Sequence, residues 1–105
     1  MRLVDVSTDE DISSPSSEQV VEAVKAVYDD YSQAIILIAN TEENLFMQTH
    51  TGTREVEYCV GLTGPIYSSQ DTSVEVAIDM FLSYLAGGDK WQKMATWRVA
   101  VERIG

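Results

Sequence analysis

From residue 20 onward, apolar positions recur at the helical period. Val20, Val21, Val24, Val27, Tyr28 and Tyr31 share one stripe, with Glu18, Glu22, Lys25, Asp29 and Asp30 mainly off it. The spacing predicts an amphipathic helix despite its valines. Its start has two readings: Ser16 with Gln19 answering three positions later as a capping box, or Ser14 as cap with Pro15 at the first helical position. A second stripe, Val74, Ala77, Ile78, Phe81 and Leu85, follows Thr72 and Glu75, which also have capping-box spacing, and Gly87-Gly88 is a natural stop.

Between the two helices the period changes. Gln33 to Asn40, "QAIILIAN", is too short and too continuously apolar for a surface helix and reads as a central strand covered on both faces. Asn44 to His50 and Arg54 to Gly61 flank Thr51-Gly52-Thr53, a hairpin signal. A two-residue loop at Thr51-Gly52, or a four-residue loop centred there, sets Leu45 opposite Tyr58 and Met47 opposite Val56 on one apolar face. The other face then pairs Phe46 with Glu57, Gln48 with Glu55 and Asn44 with Cys59. A three-residue loop would set Met47 against Glu55 and is disfavoured. Thr63-Gly64-Pro65 breaks the pattern, and Ile66 to Ser68 fits a short strand. Trp97, Val99 and Val101 alternate with Arg98, Ala100 and Glu102 as a last strand. Arg2 to Val6 also fits a strand, whereas residues 7 to 17, "STDEDISSPSS", are polar and turn-rich, so that residues 1–16 read as a polar, partly mobile leader. The expected fold is α+β: an antiparallel sheet of about four to five strands packed by two helices, in the order α-β-β-β-(β)-α-β. One domain over residues 1–105 accounts for the whole pattern.

Charge changes the picture more than composition does. Seventeen acids against seven bases give a net charge of −10, which repels nucleic acid and anionic lipid and attracts cationic partners. The excess is uneven, with ten acids and two bases in residues 1–43 against seven acids and five bases in residues 44–105. A direct nucleic-acid or membrane partner is not expected. Ala34 to Ala39, the longest apolar run, is too short to span a bilayer. The start, "MRLVD", carries no signal-peptide pattern, and one cysteine cannot form an internal disulfide, so a cytoplasmic location is expected.

Candidate catalytic chemistry is sparse. His50 and Cys59 are the sole histidine and cysteine, and the hairpin places them on the order of 20 Å apart, too far for one to activate the other. The same pair leaves a zinc site short of ligands. Asp9-Glu10-Asp11 lacks the spacing and glycine of a calcium loop. Glu55 and Glu57 share a strand face, but nothing signals the second wall of a glycosidase cleft. Gly61, Gly64, Gly87 and Gly88 match no phosphate-binding loop. No enzyme, cofactor or metal is expected.

Both tryptophans fall in "GGDKWQKMATW". Trp97 reads as a core anchor of the last strand, and Trp91 as either a cover for the open end of the core or a partner anchor. The hairpin strands "NLFMQTH" and "REVEYCVGL", with Val56 to Tyr58 as "VEY", precede the helix "TSVEVAIDMFLSYLAGGD", which ends at Gly88-Asp89 and is followed by Trp97. This arrangement, over residues 33–99, resembles the small immunity proteins of bacterial polymorphic-toxin and contact-dependent inhibition systems. The resemblance implies a non-enzymatic cytoplasmic protein that binds a cognate toxin domain, often a cationic nuclease or deaminase, and blocks its active site or a needed motion. It transfers no site residues. Charge and aromatic content supply the candidates: Asp29, Asp30, Glu42 and Glu43, joined by Glu55 and Glu57, with Phe46 as apolar centre and Trp91 as a further anchor. A second class, an acidic secretion chaperone for an exported effector, would need a dimer and an exposed apolar groove.

Overall fold

The structure, a computed structural model, describes residues 1–62 and 64–101. Both helices form where their apolar stripes lie. Helix α1, Ser17–Tyr28, starts at the Ser16 capping box: the Ser16 hydroxyl accepts from the Gln19 N–H at 3.1 Å and the Gln19 side chain accepts from the Ser16 N–H at 2.9 Å. Val20, Val24 and Val27 are buried, whereas Tyr31 lies beyond the helix end and is 85% exposed. Helix α2, Val74–Leu85, is capped by Ser73, whose hydroxyl accepts from the Val76 N–H at 3.3 Å. The capping box expected at Thr72 and Glu75 is therefore not used. Thr72 is buried instead, with its hydroxyl 2.6 Å from that of Ser69.

Seven strands build one antiparallel sheet: β1 Arg2–Asp5, β2 Glu10–Ser13, β3 Ala34–Asn40, β4 Leu45–His50, β5 Val56–Cys59, β6 Ile66–Ser68 and β7 Arg98–Val101. Their spatial order is β2-β1-β3-β4-β5-β6-β7. The α+β class and the two helices stand, but the strand number and element order expected from the sequence do not. Two strands precede α1: β1 falls where Arg2 to Val6 fitted a strand, whereas β2 lies in the stretch that read as a polar leader. The four-residue strand β2, "EDIS", carries one apolar side chain, so its pairing rests on the backbone and on a local ion pair rather than on a visible alternation. Arg2 on β1 clasps Asp11 on β2 with two hydrogen bonds of 3.2 and 3.0 Å.

The β4–β5 hairpin also departs from the expected register. Met47 faces Tyr58, Phe46 faces Cys59 and Gln48 faces Glu57, a shift of two residues from the pairing that the face pattern suggested. Because side chains alternate with a period of two, such a shift conserves both faces, and patterning cannot tell the two registers apart. The parts of the expected turn at Thr63 and of the last strand at Glu102 lie outside the described residues.

Both helices lie together against one face of the sheet. Leu3, Ile35, Leu37, Met47 and Val56 point into that layer and meet Val20, Val24, Val27, Ala77, Met80 and Phe81. Burying each of the larger of these side chains stabilises the fold by about 1.5–3 kcal/mol. β3 is interior to the sheet, as expected, but only its Ile35 and Leu37 side is covered; Ile36 and Ile38 are half-buried.

An aromatic cluster closes one end of this layer. The Tyr58 ring stacks on Tyr67 at 5.0 Å and meets Trp91 and Trp97 edge-on at 4.6 and 4.7 Å. Trp91, in a 3₁₀ turn at Lys90–Lys93, is 5% exposed, and its Nε1 donates to the Gly88 carbonyl at 3.0 Å. Trp97 is half-buried just before β7 and donates to the Gln92 carbonyl at 3.0 Å. The better-buried tryptophan is thus the one in the irregular link. Burial raises the pKa values of Tyr28 and Tyr58, and it pushes Tyr84 up to about 12, with Cys59 adding in the same direction.

Candidate functional site

Among the described residues no helix packs on the face opposite the helices, although Cys59 and Ser68 in its β5–β6 part are fully buried. Strand register arranges its side chains in rows. One row runs Val4, Ile36, Gln48, Glu57, Ser68 and Arg98, and the next runs Arg2, Ile38, Phe46, Cys59 and Ile66. The β1–β3–β4 side of this face is apolar, with Val4, Ile36, Ile38 and Phe46 all half-buried. A shallow depression of about 160 Å³ lies there, floored by Ile36, Ile38 and Phe46 and edged by Asn40, Thr41 and Gln48. The Thr41 hydroxyl on that edge accepts from Arg2 Nη1 at 3.1 Å.

The β4–β5–β7 side is polar and internally satisfied. The Glu57 carboxylate accepts from Gln48 Nε2 at 2.9 Å and lies 3.0 Å from His50 Nε2. Glu55 accepts from Arg98 Nη2 at 3.1 Å, and Gln70, with its amide oxygen turned to the guanidinium, accepts from Arg98 Nε at 2.9 Å. These contacts hold the side chains in a fixed pattern of donors and acceptors beside the apolar strip. They also occupy Glu55 and Glu57 with neighbouring donors, and Arg98 offsets the charge of Glu55.

Of the candidates from sequence, Phe46, Glu55 and Glu57 come together on this face. Glu42 and Glu43 are exposed at the β3–β4 turn, at one end of it, where Asn40 Oδ1 accepts from the Glu43 N–H at 3.0 Å. Asp29 and Asp30 end α1 at the opposite end of β3, and Asp30 accepts a hydrogen bond from the Thr51 hydroxyl. Seven residues of β3 separate the two acidic pairs by roughly 20 Å, so they form two ends rather than one surface. Trp91 is excluded as a surface anchor, because it is buried in the aromatic cluster on the helix side. Val4, Ile36 and Ile38 were not among the candidates. Every position of "AIILIA" is apolar, which hides which alternate residues a layer covers.

His50 and Cys59 have separate surroundings. His50 meets Glu57, whereas Cys59 is buried, with its sulfur 3.4 Å from Asn44 Nδ2 and near the Gly61 and Gly64 carbonyls. Gly64 is required at that corner, since a Cβ there would come within 2.3 Å of the Val60 carbonyl oxygen. Among the described residues, no cluster of three or more His, Cys, Asp or Glu could hold a metal, and no helix is long and apolar enough to cross a membrane. Comparison with protein-family models, curated proteins and solved structures found no match to this chain.

Proposed function

We propose that this chain is an immunity protein that binds a cognate, basic toxin domain of nuclease or deaminase type and blocks its active site, acting in the cytoplasm without catalysis of its own. The open sheet face carries this reading. An apolar strip of Val4, Ile36, Ile38 and Phe46 lies half-covered beside a fixed polar strip, on a protein of net charge −10. Such a face offers a dry centre with a polar margin, which is the anatomy of a protein-binding surface. Phe46 supplies the anchor, and Glu42 and Glu43 at the adjacent turn steer a cationic partner towards it.

The test is co-purification from the native cell at low and moderate salt, followed by assay of the recovered partner. A folded basic toxin domain whose activity falls on adding this protein supports the reading. Recovery of an exported effector through an unfolded segment supports the chaperone instead. With the toxin in hand, E42K/E43K should slow association about tenfold at low salt and flatten its salt dependence. An unchanged on-rate would remove the β3–β4 turn from the interface.

A further inference from the structure

On the other side of the sheet, α1 leaves one flank of the β1–β2 hairpin uncovered, and a groove of about 460 Å³ lies between them. Its floor is apolar, with Leu3 and Ile12 from the hairpin and Ala23 from the helix. Asp5, Glu10, Glu18 and Glu22 line it from three elements, and no basic residue does. Glu18 has a local reason to be there, since an acid in the first turn complements the helix dipole. Asp5 is anchored by the Ser7 N–H at 2.9 Å and the Ser32 hydroxyl at 3.0 Å. Glu10 and Glu22 have no such partners among the described contacts. Carboxylates brought by β1, β2 and α1 to one apolar cleft repel one another, and fold stability alone would favour a lysine among them.

We propose that this groove docks a lysine- or arginine-bearing segment of a protein partner. The aliphatic stems of such residues cover Leu3, Ile12 and Ala23 while their heads reach the carboxylates, which matches both halves of the lining. The site lies on the face of the sheet opposite Phe46 and stands independently of the immunity reading, giving the protein two binding surfaces.

The experiment is an amide NMR titration of the intact protein with an end-blocked hexapeptide of alternating lysine and leucine. Saturable shifts are expected at Ile12, Glu22 and Ala23, with Ile36 and Phe46 unmoved. E18Q/E22Q should weaken binding about tenfold through two lost charge contacts, and Glu10→Gln, which leaves the helix untouched, should weaken it less. Phe46→Ala should leave the affinity unchanged. Shifts confined to the open face, or equal affinity in all the carboxylate variants, overturn the proposal. So does spermine binding as tightly as the peptide, because the apolar floor would then contribute nothing. Self-association by sedimentation equilibrium that E18Q/E22Q abolishes would also overturn it, by assigning the groove to a second copy of the chain.

Discussion

The two faces of β3 are built from nearly the same residues and have different surroundings. Ile35 and Leu37 are fully buried under α1 and α2, whereas Ile36 and Ile38, one position away on the same strand, are half-buried on the open face. Hydrophobicity of the side chain therefore does not decide burial here; the covering layer does. On the helix side, packing and stability constrain each residue. On the open side an isoleucine gains less from folding, so its presence there is consistent with burial against something else.

The sharpest way to break that comparison is to truncate both sides of β3. Leu37→Ala should cost about 2–5 kcal/mol in urea or guanidinium unfolding, through lost burial and a residual cavity. Ile36→Ala should cost less than half as much in the same experiment. Equal losses would mean that the open face is covered in solution. A second contrast lies in polar groups. Ser69 is buried, and its hydroxyl accepts from the Val56 N–H at 3.0 Å. Ser69→Ala should cost about 1–3 kcal/mol by leaving that amide unpaired; a loss within error would mean that another acceptor replaces the hydroxyl.

Alkaline titration separates the faces differently. The Tyr84 pKa is raised to about 12, so the folded state keeps a proton that the unfolded chain loses above pH 10. The stability from this group is fully present below pH 10 and is lost as pH rises towards 12. Tyr84→Phe should flatten that decline, and an unchanged slope would place the ionisation elsewhere. The smallest effect is expected on the open face. Arg98, with its side chain 55% exposed, pairs with Glu55, and Arg98→Ala should change stability by about 0–1 kcal/mol. A larger loss would show the polar strip to be structural.

How much of this was legible depends on what each element rests on. Helix α1 could be read down to a choice of two caps, of which Ser16 is the one used, because Ser16, Gln19 and the valine stripe act locally. The faces of β4 and β5 were legible for the same reason, since Met47 and Phe46 point to opposite sides whatever the register. A strand fitted Arg2 to Val6, but β2 and its pairing were not legible, because Arg2 and Asp11 meet only after the backbone has paired. For Trp91 the choice between covering the core and anchoring a partner stayed open, because its burial depends on Tyr58, far away in sequence, as well as on nearby Tyr84. The acidic pairs at Asp29-Asp30 and Glu42-Glu43 looked close along the chain, but β3 runs straight between them. Local chemistry was readable, and the distances created by strands were not.

The sealing of Cys59 equips the molecule with its own kinetic probe. A sulfur with no solvent exposure, enclosed by Asn44 and the backbone around Gly61 and Gly64, reacts with a maleimide only during openings of the β5–β6 corner. The labelling rate of the unaltered protein thus measures how often that corner opens. Phe46 is the cross-strand neighbour of Cys59, so a ligand seated over Phe46 should slow the labelling, whereas one held between α1 and β2 should leave it unchanged.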